Sequence, residues 1–154
     1  MKTLNVVVEK EKRLLKIFDG EILIKSYRIA LGSNPIGIKE VEGDGKTPEG
    51  KYYIFTKNIE SKFYLSLALS YPAIEDAKRG LACGLITQEV YDQIENAIQN
   101  RRKPPQNTPL GGEIYIHGNG NKTDWTGGCI ALENSDMKEV FALLDIGTNV
   151  IIRN

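Results

Sequence analysis

Apolar residues fall in short runs separated by turn signals along most of the chain, and that spacing predicts strands before helices. From Leu4 to Phe18, Val, Leu and Ile are interleaved with charged residues, a pattern suited to strands with one face in a core. Asp19-Gly20 separates this run from a second one, Glu21 to Leu31. Asp-Gly favours a two-residue hairpin, because the tight turn needs positive φ that Asp tolerates and Gly adopts freely. The chain is therefore expected to open with an antiparallel hairpin. A glycine-rich stretch follows through Asn34-Pro35, Gly37 and Gly43-Asp44-Gly45 to Thr47-Pro48-Glu49-Gly50, and Lys51 to Phe55 reads as the next strand. Tyr64 to Tyr71 alternates large and small residues and predicts another, stopped by Pro72.

The character changes between Asp76 and Gln106. Thr87 can cap a helix with Glu89 in its first turn and Val90, Tyr91, Ile94 and Ile98 at helical spacing. Arg101-Arg102-Lys103 crowd its C-terminal end, where cations suit the dipole and solvate readily, and Pro104-Pro105 ends it. Its polar neighbours suggest an insertion between strands, forming a flap or a wall of the site. Glu113 to His117 predicts a strand entering Gly118-Asn119-Gly120, and Ile130-Ala131-Leu132 follows Cys129. Asn134 or Ser135 can cap a second helix over 136–144, with Met137, Val140, Phe141 and Leu144 on one face. Gly147 lies just past its end, and Val150-Ile151-Ile152 closes the chain as a strand. The expected fold is mostly β with two helices, one in an insertion flanking the site.

A length of 154 residues fits one domain over 1–154, and 41% hydrophobic residues can build its core. Twenty basic residues balance twenty acidic ones, which argues against nucleic acid or an anionic membrane as the main partner. The N-terminus has no apolar run of secretory length and no segment could span a bilayer. The sequence thus belongs either in the cytoplasm or to a protein whose leader or anchor is absent from it. Two cysteines are too few for a disulfide scaffold. With one histidine and no C-x-x-C pair, a metal site would lack ligands, so no metal or other cofactor is expected.

The chemistry concentrates in Ile114-Tyr115-Ile116-His117-Gly118 and Asp124-Trp125-Thr126-Gly127-Gly128-Cys129-Ile130. Cysteine attacks carbonyl carbon as the thiolate, which a neighbouring imidazole can generate and hold as an ion pair. His117 at a strand end and Cys129 after a Gly-Gly turn can project from one rim of a sheet. The glycines permit backbone conformations closed to other residues, so amides around Gly127, Gly128 and Cys129 can converge on a developing oxyanion. Thr126 adds a hydroxyl. Taken singly, a lone cysteine or histidine is more often structural; together, the two point to a nucleophile and its base.

His117-Gly118, followed by Thr126-Gly127-Gly128-Cys129-Ile130, resembles the H-G-x(n)-[S/T]-x-G-C-[I/V] signature of the L,D-transpeptidase catalytic domain, the YkuD domain. The likeness extends over nearly the whole chain, through the opening hairpin, Gly45-x-Thr47-Pro48-x-Gly50-x-Tyr52 and Tyr71-Pro72. It implies a β-rich sandwich or barrel working on peptidoglycan stem peptides in the cell envelope, outside the cytoplasmic membrane. Cys129 would be acylated at the L-centre of a diamino-acid residue, with His117 as base. The terminal D-amino acid would leave, and an amine of another stem or of a protein would take the acyl group. The Gly118 carbonyl would orient the imidazole. Asp124, Trp125 and Tyr71 are candidate substrate-binding residues, although Trp125 can equally well pack, Tyr71 and Tyr115 can be core or rim aromatics, and Cys83 reads as a spectator. One departure stands out: the family commonly has arginine two positions after the cysteine, and here Ala131 occupies it. Arginine would offer a fork for a substrate carboxylate. Together with the Asp124-Trp125-Thr126 run, this departure resembles a branch in which water takes the acyl group and a protein–wall link is hydrolysed. A non-catalytic wall-binding module is the remaining alternative.

Overall fold

The structure, a computed structural model, describes residues 3–154. The first apolar run is not one strand but two. β1 (Leu4–Glu9) turns at 10–13 into β2 (Leu14–Asp19), and Asp19-Gly20 leads into β3 (Ile22–Arg28), so the expected hairpin is the second half of a three-stranded meander. Arg13 takes a left-handed φ of 55° in the first turn, a place where glycine or asparagine would have signalled the turn. β4 (Gly50–Ser61) and β5 (Tyr64–Leu69) form the next hairpin, followed by α1 (Ile74–Ala82) and α2 (Gln88–Gln99). β6 (Tyr115–His117), β7 (Ile130–Ala131), α3 (Asn134–Leu143) and β8 (Asn149–Arg153) complete the chain.

The strands make one mixed sheet in the order β3-β2-β1-β8-β4-β5-β6-β7. β1–β8 and β6–β7 pair in parallel and the other neighbours antiparallel. Ala30, just beyond β3, bridges Ala131 of β7, so the two ends of the sheet meet and few ladder groups are left open. Alternation decides which face is inside. Val6 and Val8 of β1, Leu15 and Ile17 of β2, and Val150 and Ile152 of β8 are all essentially unexposed. Val6 pairs with Ile17 and Val150, and Val8 with Leu15 and Ile152, which aligns the buried side chains across strands. α3 covers this layer with Met137 and Val140, joined by Leu144.

Three helices form among the described residues, where two are expected. α1 escapes the periodicity reading because its buried face is Asp76, Ala77 and Gly80, which are small or polar residues. The Asp76 carboxylate accepts the Ala73 N–H at 2.9 Å, securing the helix start. α2 starts where Thr87 predicts, its hydroxyl accepting the Val90 N–H at 3.2 Å. α1 and α2 share a small core of Ala77, Ile86, Ile94 and Leu110 beside the main one. No helix among the described residues is long and apolar enough to cross a membrane.

Candidate active site

Two adjacent parallel strands bring Cys129 and His117 together. Ile116 pairs with Ile130 and His117 with Ala131, so Cys129, one residue before β7, stands level with Tyr115. The sulfur completes the ladder there, accepting the Tyr115 N–H at 3.3 Å and donating to the Glu113 carbonyl at 3.3 Å. His117 lies two residues further along β6, at the mouth of the loop that returns to Cys129.

The imidazole is held from several sides. It is 1% exposed, its ring stacks on Phe63 at 4.4 Å, and the edge of Trp125 meets it at 5.5 Å. Nδ1 lies 2.8 Å from the Gly118 carbonyl, as the resemblance implies. A carbonyl only accepts, so Nδ1 carries the proton and Nε2 keeps a free lone pair. No hydrogen-bond partner of Nε2 is found among the described residues. A Cβ at 118 would sit 2.5 Å from Asn134 Oδ1 and 3.0 Å from the Phe63 carbonyl, so a side chain there would force its neighbours to shift. Burial lowers the imidazole's pKa from its usual 6.5, opposed by the Gly118 carbonyl, so the resting ring is neutral at neutral pH.

Thr126 closes the turn before the cysteine. Its hydroxyl donates to the Cys129 carbonyl at 2.7 Å and accepts the Gly128 N–H at 3.1 Å. Gly128 has φ of 143°, and a Cβ there would lie 2.7 Å from the Lys46 carbonyl, so the turn rests against the 32–50 loop. Thr47 fixes that loop by accepting the Gly32 N–H at 3.0 Å, while the buried Lys10 ammonium donates to the Gly37 and Thr47 carbonyls and to Glu49. The expected set of oxyanion donors narrows as a result. The Gly128 N–H already serves Thr126, whereas those of Gly127 and Cys129 have no partner among the described residues.

Two of the expected substrate-binding residues do other work. Asp124 accepts from Arg13 Nε at 3.2 Å and Nη2 at 2.9 Å and from the Leu31 N–H at 2.9 Å, so it ties the site loop to the first turn. Tyr71 is fully buried, its hydroxyl donating to the Leu110 carbonyl at 2.7 Å. Trp125 is 38% exposed, with Nε1 donating to the Gly120 carbonyl at 3.0 Å, and it lines a surface groove of about 700 Å³ with Phe63, Asn119, Lys122 and Glu133. The inserted helix is not itself the wall of the site. Lys103 and Gln106, in the segment after it, line a second groove of about 400 Å³ on the β4–β5 side. Phe63 belongs to both grooves and was not anticipated. Its only sequence signal is an aromatic residue in a polar hairpin turn, Ser61-Lys62-Phe63.

Burial pushes the Cys129 thiol up to about 11, with the Tyr115 N–H pulling the other way. Burial thus favours a neutral thiol beside a neutral imidazole over the resting thiolate–imidazolium pair that the sequence leads one to expect. Thiolate ultraviolet absorbance, taken as the difference between the chain and its Cys129→Ala variant, is expected to be absent at neutral pH and to rise on approach to about 11. A full signal at neutral pH would restore the ion pair.

Known proteins share this architecture. The helical cell shape determining protein Pgp2 from Campylobacter jejuni matches with a TM-score of 0.68 and 23% identity over 99% of this chain and 48% of that one. Bd1075 of Bdellovibrio bacteriovorus matches at 0.64 and 20%, over 99% and 48%. An L,D-transpeptidase from Mycobacterium smegmatis matches at 0.58 and 9%, over 99% and 59%. The chain thus spans about half the length of these structures. No curated protein matches it. The family model of the L,D-transpeptidase catalytic domain, YkuD, matches residues 4–152, and the chain belongs to that family.

Proposed function

We propose that the chain is a single catalytic domain working in the cell envelope, in which Cys129 is the nucleophile and His117 the base of acyl transfer on peptidoglycan stem peptides. The observation that carries this reading is the locked imidazole. With Nδ1–H fixed on Gly118 and Nε2 unpartnered, one strand from the thiol, the ring has its lone pair ready for a proton.

As the Cys129 sulfur bonds to the carbonyl carbon, the thiol proton passes to Nε2. The Gly127 and Cys129 N–H groups receive the oxyanion. The tetrahedral intermediate collapses with cleavage of the C–N bond, the leaving D-amino acid takes the proton from Nε2, and a thioester remains. An incoming amine then gives its proton to Nε2 as it attacks the thioester carbon. The sulfur departs as thiolate and recovers that proton from the imidazolium.

A second reading, with water as the acceptor, is favoured by position 131. Ala131 is fully buried and paired to Ala30, so no side chain there offers the arginine's carboxylate grip. Incubation with purified sacculi followed by mass spectrometry of the muropeptides separates the readings. New cross-links or exchanged terminal D-amino acids are the products of transfer. Shortened stems or released wall-linked protein alone are the products of hydrolysis. Unchanged muropeptides would sink both and leave a wall-binding module.

A further inference from the structure

Tyr64 carries the strain of the β4–β5 hairpin. Ser61 pairs with Tyr64, which leaves Lys62 and Phe63 at the tip. Tyr64 has φ of 78°, a left-handed conformation that glycine fills freely and a bulky aromatic residue seldom takes. Such a conformation persists where its surroundings over-determine it, and here the tip is bonded to the histidine loop. The Phe63 carbonyl accepts the Gly118 N–H at 2.9 Å, and the Lys62 carbonyl accepts from Asn119 Nδ2 at 3.4 Å. Within the tip, the Phe63 N–H donates to Ser61 Oγ at 3.1 Å. The Phe63 ring then lies within 22° of parallel to the His117 imidazole, with Trp125 edge-on to it at 5.8 Å. Phe63 belongs to neither hydrophobic core, so core packing does not account for it.

The tip fixes two different parts of the histidine. Its carbonyl holds Gly118, the residue whose own carbonyl takes the Nδ1 proton. Its aromatic ring covers one face of the imidazole and keeps water from it. A hydrogen bond at Nδ1 alone would let the ring rock about that contact, whereas a stacked face removes the freedom. We propose that Phe63 is a positioning residue of the acyl-transfer site, displayed by the left-handed Tyr64, and that it holds the imidazole in the one orientation that leaves Nε2 for the thiol proton. The role rests on the acyl-transfer reading above. Phe63 acts through His117 and takes no part in making or breaking bonds.

The test follows the rate of carbapenem acylation against pH by intact-mass spectrometry, and the imidazole titration by NMR. His117 is the single histidine of the chain, so its ring signal is unambiguous. Phe63→Ala is expected to lower the rate near neutrality about ten- to a hundred-fold, the loss that a misplacement of about 1 Å brings. The same variant should lift the imidazole titration toward 6.5 as water reaches the uncovered face. Phe63→Tyr restores the flat ring and should recover most of both effects. Tyr64 supplies an independent pair, which decides the matter if thermal unfolding shows that Phe63→Ala does not fold. Tyr64→Gly keeps the left-handed conformation open and should stay close to the unaltered chain, whereas Tyr64→Val, whose branched side chain resists that conformation, should behave as Phe63→Ala does. Phe63→Ala that leaves either the rate or the titration unmoved, or a loss that Phe63→Tyr does not recover, overturns the positioning role alone. Equal losses in Tyr64→Gly and Tyr64→Val overturn the part given to the left-handed turn. An unaltered chain that takes no carbapenem overturns the acyl-transfer reading, and the positioning role with it.

Discussion

Replacement of Cys129 by alanine is expected to abolish both acylation by a carbapenem and turnover of wall peptides, with a loss of order 10⁶-fold, as when other nucleophiles are removed. The size follows from the chemistry. Without the sulfur no thioester can form, and the N–H groups of Gly127 and Cys129 would be left to stabilise an uncatalysed attack by water. The fold should survive, because the thiol's polar contacts are two hydrogen bonds of 3.3 Å, and sulfur bonds of that kind are weak. Intact-mass spectrometry after carbapenem treatment reads the result, with unchanged thermal unfolding as the control. Cys83 makes the measurement stricter. It is a free, exposed thiol, so an adduct persisting in Cys129→Ala would assign the reactivity to Cys83 or another group and overturn the assignment.

The neighbourhood of Cys129 and His117 on adjacent strands was legible because they lie twelve residues apart in sequence, on either side of one glycine-rich loop. Local spacing could reveal them. The groups that hold them could not be found in that way, since they come from distant parts of the chain. Arg13 reaches Asp124 across 111 positions and Lys10 reaches Thr47 across 37. Without its partner in view, Asp124 beside the Gly-Gly turn reads as a substrate contact, although its carboxylate accepts from Arg13 and from the Leu31 N–H. Tyr71 misleads similarly, since an aromatic at a strand end suits a rim as well as a core until its hydroxyl is seen on Leu110.

Fold class was legible from the period-two runs, and element count less so. The β1–β2 turn has no glycine, proline or asparagine, and Arg13 adopts the left-handed conformation itself. α1 buries Ala77 and Gly80 rather than a large apolar stripe. At Gly80 a Cβ would stand 2.7 Å from Leu110 Cδ2, so close packing substitutes for hydrophobic bulk there. The thiol's protonation was read from proximity to histidine, whereas burial raises the thiol's pKa. The sulfur sits under β6 and against the Glu113 carbonyl, and that desolvation dominates.

That protonation state makes His117 the second large expectation. If the resting thiol is neutral, acylation needs a base in the transition state, and loss of such a base costs about 10²- to 10⁴-fold. His117→Gln is the informative variant, because it retains much of the volume packed against Phe63 and Trp125. The pH profile separates chemistry from packing. In the unaltered chain the rate of carbapenem acylation should follow deprotonation of the imidazole. Burial favours the neutral ring and lowers its pKa below 6.5, so the rate should be level around neutrality and fall only on the acid side of that value. In His117→Gln the acid limb should vanish, and the rate should climb with pH toward about 11 as thiolate forms unaided. The gap between the two proteins would then narrow steadily as pH rises. A purely structural histidine predicts a constant gap at every pH, and an acid limb surviving in His117→Gln would assign the base to another group.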